Sequence, residues 1–395
     1  MRNGTRERAS ASLYVHFPLC EAKCTYCDFY SIPGAGHDRA RIEALLLTEA
    51  EQRAPWQPST VFLGGGTPSY HDPAALLEFL DRLHSICGFR DSATEVTAEC
   101  NPESLDLETA QALREGGVSR LSIGIQSLRS EILEQFGRTH SVDQGFQAVD
   151  AAKRAGFERL STDLIYAIPG QSVAEWSDDL RTVLELGLSH LSAYNLTFEP
   201  GTAIDRLRRE GRLAPSDEEV ELELFWRTRE LAEQAGLDAY EISNFSLPGH
   251  ECTHNLSYWQ GEDYVGIGPS AVSRAGAVRS GNVRSLPRWM DAIAHGRDPI
   301  DSSETLSPLA ILGEGWWLGL RTGLGVSAEE LQERAGVDPA NDPTGPTIGQ
   351  LTDQGLLVRE GDRVCLSPTG LPLADAIGRA FLDCTRAPHS SSSAP

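Results

Sequence analysis

From residue 12 to about 200, short apolar runs alternate with segments of helical period, six times over. The spacing predicts strands over 12–17, 60–63, 95–99, 120–124, 160–166 and 190–196, with helices over 38–53, 72–87, 106–115, 129–136, 143–155 and 175–186. Parallel strands need a crossover helix each, so this alternation predicts an α/β fold: a partial (β/α)6 TIM-like barrel with a smaller C-terminal α or α+β domain. In such barrels the chemistry sits at the C-terminal strand ends. Several unusual residues fall there. Gly64-Gly65-Gly66-Thr67-Pro68 follows the second strand and Glu99-Cys100-Asn101-Pro102 ends the third. Gln126 and Ser127 follow the fourth, and Asp163 lies in the fifth, with Pro169-Gly170 after it.

The rest of the chain reads differently. A long helix is expected over 216–235, then a stretch of unusual content from Tyr240 to Gly268. Residues 304–386 predict a small helical or winged-helix unit, and the Ser/Pro-rich 387–395 a disordered tail. These changes divide the chain into 1–215, 216–303, 304–386 and 387–395. With a formal net charge of −23, the chain offers no basic face for nucleic acid. It has no run of eighteen apolar residues to span a membrane and no apolar stretch for secretion near its start. A cytoplasmic location is expected, and eight cysteines in a chain of 395 predict no disulfide framework there.

Three of those cysteines, Cys20, Cys24 and Cys27, form a C-x3-C-x2-C run in the loop after the first strand. Three thiolates on a short loop hold three irons of a cubane and leave the fourth open, where a complete ferredoxin site needs four. The alternative is a zinc site, completed by His16 or His37.

The segment CEAKCTYCDF resembles the cluster motif of the radical S-adenosylmethionine (radical SAM) superfamily. The resemblance implies a 4Fe–4S cluster on Cys20, Cys24 and Cys27, with S-adenosyl-L-methionine bound to the open iron. An electron from the cluster would cleave the sulfonium C–S bond to give a 5′-deoxyadenosyl radical. Tyr26 matches an aromatic position that packs near the adenine. GGGTP resembles the superfamily's glycine segment, which places Gly65, Gly66 and Thr67 beside the methionine ammonium; glycine permits that close backbone approach. Tyr14 in YVHFPLC, Glu99 in AECNP, Gln126 in GIQS, Arg138 in FGRTH and Asp163 in TDLIY match further cofactor positions. They imply ribose, carboxylate and adenine contacts, Arg138 being suited to grip a carboxylate. His16 and His140 also match family segments, either in a direct role or as backbone-bonded supports of the cluster loop.

The segments RLSIGIQS, DLIYAIPGQ and YEISNFSLPGHECTHNLSYW extend the resemblance from Leu13 to about Gly370. They look like the HemN/HemW group, the oxygen-independent coproporphyrinogen oxidases and their relatives, which implies a HemN-type C-terminal domain. Two departures weigh against the oxidases. A fourth Cys two places after the third is absent, since Asp28 and Phe29 follow Cys27, and only 19 residues precede Cys20. The segment His254-Asn255-Leu256-Ser257-Tyr258-Trp259 matches the HNxxYW mark of the heme-chaperone branch. That branch implies heme as cargo, His254 as its ligand, Tyr258 and Trp259 as flat apolar surface, and Cys252 as a further candidate ligand. It implies transfer to heme-accepting respiratory or other hemoproteins, through protein contact rather than a polybasic lipid patch, and a cluster-dependent homodimer. The alternative is coproporphyrinogen III dehydrogenase, which converts propionates to vinyls. Trp316 and Trp317 are expected to serve packing, and Cys87, Cys100, Cys365 and Cys384 to be buried small residues.

Overall fold

Side chains along the barrel strands sort by parity. In Arg120–Gln126, Leu121, Ile123 and Ile125 are fully buried, and Ile125 abuts Gly145 of the helix Val142–Arg154. The alternate residue Ser122 points the other way, into the barrel interior, and bonds Asp163 on the neighbouring strand. One face of each strand therefore meets helices and the other meets a polar lumen. The computed structural model describes residues 11–386.

The strands in chain order are β1 (Ser12–Phe17), the short pair β2 (Leu19–Cys20) and β3 (Ile32–Pro33), β4 (Thr60–Gly65), β5 (Glu95–Cys100), β6 (Arg120–Gln126), β7 (Arg159–Tyr166) and β8 (His190–Asn195). Then follow β9 (Asp238–Ala239), β10 (Asn244–Ser246), β11 (Tyr264–Ile267), β12 (Val272–Ala275), β13 (Val278–Asn282) and β14 (Ile300–Thr305). The large sheet runs β14-β13-β12-β11-β1-β4-β5-β6-β7-β8-β10-β9. Its centre, β11 to β8, is parallel throughout, and the outer strands are antiparallel.

The six expected strands and their crossover helices are present, mostly displaced by a residue or two. The strands that carry the site run further: β4 continues to Gly65 and β6 to Gln126. Unforeseen was the β-rich stretch after residue 237. There β11 adds a seventh parallel strand beside β1, and β12–β14 extend the sheet antiparallel. Helix starts follow their side chains: Asp72 accepts from Ala74 and Ala75 N–H, and Ser141 and Ser172 form reciprocal capping boxes with Gln144 and Glu175.

The main core lies between the sheet and its helices, with Leu13, Val15, Val61, Leu63, Leu80 and Leu121 fully buried. A separate apolar cluster gathers Leu312, Trp316, Leu331 and Phe381 under a small sheet of β15 (Val326–Ser327), β16 (Leu357–Glu360) and β17 (Arg363–Leu366). Trp316 stacks on Phe381 at 4.7 Å, but its neighbour Trp317 faces the lumen cavity, so only one of the pair is plain packing. Cys87, Cys100 and Cys365 are buried as expected, whereas Cys384 is only half-buried. The expected tail, 387–395, lies outside the described residues. No described helix is long and apolar enough to cross a membrane.

Candidate functional site: the open end and lumen of the barrel

The open end is built from three loops that lean on one another. The cysteine loop follows β1, and the glycine loop after β4 is sewn beneath it: Gly66 N donates to Phe17 O at 2.6 Å and Thr67 N to Leu19 O at 2.8 Å. Gly65 has φ +91°, and a Cβ there would lie 2.3 Å from the His16 ring, so glycine is obligatory at this approach. Tyr14 O–H reaches His16 Nδ1 at 3.0 Å, and His16 Nε2 donates to Tyr30 O at 2.7 Å. Burial holds His16 down at about 4, hence neutral. Of the two roles open to it, this histidine takes that of a brace between the glycine loop and the far end of the cysteine loop.

The three thiols are half-buried, and the nearness of Cys24 disfavours ionisation of Cys20 and Cys27. Burial raises Cys20 and pushes Cys27 up to about 11, while Thr67 and Ser31 hydroxyls bond Cys20 and oppose its shift. Arg138 aims Nη1 at Cys24 Sγ, 3.4 Å away. Its other nitrogen is fixed by Asn101 Oδ1 and Gly124 O, each at 2.8 Å, and His140 bonds Ile125 O behind it. Among the described residues no three His, Cys, Asp or Glu side chains converge on a single ion. His16 is already engaged on both nitrogens and His37 is exposed, so the zinc alternative finds no fourth ligand. Three thiols around a cationic, partly buried rim fit a cluster in which each thiolate takes its own iron.

Two carboxyls face the lumen below this rim. Glu99 Oε2 accepts from Gly65 N at 3.0 Å; burial, and then Asp163, pushes its carboxyl up to about 7. Asp163 accepts from Ser122 Oγ at 3.0 Å and is also raised by burial. Gln126 ends β6 with φ +66°, a left-handed conformation that costs a non-glycine residue about 1–2 kcal/mol and concentrates at functional sites. Tyr26 packs edge-on against Phe136 at 4.9 Å. Thr67 and Arg138 therefore reach the thiols directly, Gly65 and Gly66 form the loop sewn beneath the cysteines, Tyr14, Glu99 and Asp163 face the lumen below, and Gln126 ends β6.

The lumen holds a cavity of ≈ 570 Å³, walled by Tyr14, Phe62, Tyr258, Tyr264 and Trp317. The HNxxYW segment lies on the helix Thr253–Trp259, which closes the lumen from the N-terminal ends of the strands. Here the structure departs from expectation. His254 does not present a free imidazole. Thr60 O–H donates to Ser12 Oγ, so His254 Nδ1–H donates to Thr60 Oγ1 at 2.7 Å, and Nε2 accepts from Tyr258 O–H at 2.9 Å. Burial holds this imidazole at about 3, hence neutral. Cys252 is not an accessible ligand either: it is fully buried, bonds Glu95 Oε1 at 3.4 Å and is pushed up to about 12 by burial. Trp259 turns from the cavity to lie under Arg321, 5.2 Å from its guanidinium.

The residue missed in the sequence is Glu95. Its carboxylate is completely buried and accepts from Arg159 Nη2 at 3.0 Å and from the N–H groups of Thr253 and His254, each at 3.1 Å. It anchors the HNxxYW helix by its first amides. The available signal was parity: Glu95 and Glu99 share one face of a strand whose other face is apolar.

Residues 14–183 match the model of the Radical SAM superfamily, and residues 306–373 that of the HemN C-terminal domain. The chain is 33% identical over 377 residues to the heme chaperone HemW of Bacillus subtilis, covering 94% of this chain and 99% of that protein. The chain belongs to the radical SAM superfamily, in its HemN/HemW group. Another relative in the group is the mitochondrial radical S-adenosyl methionine domain-containing protein 1 of Bos taurus, 33% identical over 93% of this chain and 86% of its own length. The fold matches the solved coproporphyrinogen III oxidase (HemN) of Escherichia coli with a TM-score of 0.82, over 94% of this chain and 90% of that one, at 22% identity. The superfamily implies a 4Fe–4S cluster and S-adenosylmethionine, and the thiol set and the groups around it fit both.

Proposed function

We propose that this chain is a heme chaperone: it binds a 4Fe–4S cluster, S-adenosylmethionine and heme, and passes the heme to acceptor hemoproteins. The observation that best supports this reading is the aromatic-walled cavity closed below by the HNxxYW helix, in a chain whose cysteine loop lacks a fourth thiol. Relatives that align over nearly the whole chain carry the name heme chaperone HemW.

Cys20, Cys24 and Cys27 would hold the cluster, which supplies an electron and an open iron for the cofactor's amino and carboxylate groups. Arg138 sets a fixed positive charge beside Cys24. Gly65 and Gly66 leave their backbone open to the methionine end. Glu99 and Asp163 accept ribose hydroxyls, Thr67 positions the glycine rim, Gln126 contacts the cofactor, and Tyr14 and Tyr26 pack the aromatic parts. His254 would take the heme iron through Nε2 once the Tyr258 hydroxyl swings off it. In this reading residues 1–215 hold the cofactors, 216–303 close the lumen and 304–386 cover its side. The acceptor is a heme-requiring protein, with a cluster-dependent homodimer as the working form, in the cytoplasm.

The test uses anaerobically reconstituted protein. It should bind heme, pass it to an apo-hemoprotein and leave coproporphyrinogen III unchanged. Protoporphyrinogen formed in step with 5′-deoxyadenosine would overturn this reading in favour of the dehydrogenase.

A further inference from the structure

The helix Pro308–Gly319 of the C-terminal region turns two faces to two different places. Leu312 and Trp316 are fully buried in the apolar cluster of that region, where Trp316 stacks on Phe381. Glu314, Trp317 and Leu318 stand at i, i+3 and i+4, hence on one face, and all three line the lumen cavity. Glu314 takes Arg279 of β13 at 3.1 Å, which ties this face of the helix to the sheet.

Trp317 differs from the other tryptophans inside the fold. Trp176 and Trp289 donate to Thr228 Oγ1 and Glu49 Oε2, at 2.9 and 2.8 Å. Trp316 has Phe381, and Trp259 has the Arg321 guanidinium. Among the described residues no aromatic ring, cation or hydrogen-bond acceptor serves the Trp317 indole. Its place is nevertheless fixed from behind. A Cβ on Gly378 would collide with Trp317 Cδ1, so the helix Ala374–Thr385 passes directly against the ring. Glycine inside a helix is destabilising relative to alanine, and Gly378 is buried within this one. The indole requires that space. The fold thus holds a large flat apolar group at the cavity wall and gives its lumen side no ring, cation or acceptor.

We propose that Trp317 stacks on the face of the porphyrin held in the cavity and so selects for a flat macrocycle, with Gly378 as its positioning residue. This rests on the chaperone reading and deepens it. Stacking of two aromatic systems adds to what burial alone gives, and an indole already held in place loses little freedom on binding. The contact is with the ring system rather than the iron, so it acts independently of His254. Tyr258 and Tyr264 reach the same cavity from residues 216–303, and Trp317 reaches it from the C-terminal region. The C-terminal region is thereby part of the cargo site.

The experiment titrates full-length, cluster-reconstituted protein with heme, followed by its Soret band, and with iron-free protoporphyrin IX, followed by its fluorescence. Trp317→Ala should weaken both by about tenfold and leave S-adenosylmethionine affinity unchanged. Trp317→Phe should recover most of the loss. Gly378→Ala, whose methyl pushes the indole aside, should weaken both porphyrins on its own and add nothing in the Trp317→Ala background. If Trp317→Ala fails to fold, Trp317→Leu, which keeps apolar bulk without the flat face, decides by the same titrations. Unchanged porphyrin affinity in the folded variant, a loss for heme alone, or a wild type that takes heme but not protoporphyrin would overturn the stacking role and leave the chaperone reading standing. An added loss from Gly378→Ala in the Trp317→Ala background would remove Gly378 from that role. Wild type that binds neither porphyrin would overturn the chaperone reading, and this inference with it.

Discussion

The two ends of the barrel use the same residue types to opposite ends. At the closed end, most polar groups satisfy one another: Glu95 takes donors from Arg159, Cys252, Thr253 and His254, and Thr60 links Ser12 to the imidazole, with Arg159 Nε and Trp259 Nε1 left over. At the open end the thiols have few partners, Glu99 and Asp163 are pushed above their usual range by burial, and Gln126 sits in a strained conformation. A satisfied buried network gives rigidity, whereas under-satisfied groups hold free energy that a ligand can recover. One end is built to hold a helix in place, and the other to hold something the chain does not supply.

The largest contrast should come from cutting each end once. Cys20→Ala should abolish the brown absorbance near 400 nm after anaerobic reconstitution, yet shift stability by no more than about 1 kcal/mol, since its half-buried thiol carries little packing. Glu95→Ala should do the reverse. It strands the Arg159 charge and two helix amides, so urea denaturation should show a loss of about 3–5 kcal/mol. Comparable stability losses from both variants would erase the distinction between the ends.

Glu99 sharpens the comparison through pH. Its folded carboxyl lies near 7, above the unfolded value, so its contribution to stability is complete below about pH 4.5 and is lost as the pH rises through 7. The wild-type apo-protein should lose about 3 kcal/mol at this site between pH 4.5 and 8. Glu99→Gln should show a shallower fall over that window and be the more stable protein at pH 8, as read from denaturation curves at each pH. A pH dependence identical in the two proteins would show that Glu99 carries no such strain.

The smallest expected effect lies at the closed end. Tyr258→Phe removes the hydroxyl that occupies His254 Nε2. Stability should fall by about 1 kcal/mol, while heme affinity by Soret titration rises several-fold. His254→Ala should lower that affinity. Unchanged heme binding in both variants would make His254 part of the closed end's framework and remove it from the cargo site.

Local sequence determined the alternation of strands and helices, the side of the sheet each residue faces, and the spacing that puts three thiols on one loop. Parity and the 3.6-residue period depend on near neighbours, and the cysteine loop is eight residues from first thiol to last. Residues at successive strand ends, such as Gly65, Glu99 and Asp163, were also legible, because a parallel sheet carries them to one rim. Tertiary structure decided what those neighbourhoods could not. His254 reads as a free imidazole until Thr60, nearly two hundred residues away, and Tyr258, one helical turn on, fill both its nitrogens. Glu95 reads as the polar start of a strand until the helix Thr253–Trp259 arrives to use it. A hydrogen bond or a charge is felt over a few ångströms, and only the folded chain says which residues come that close.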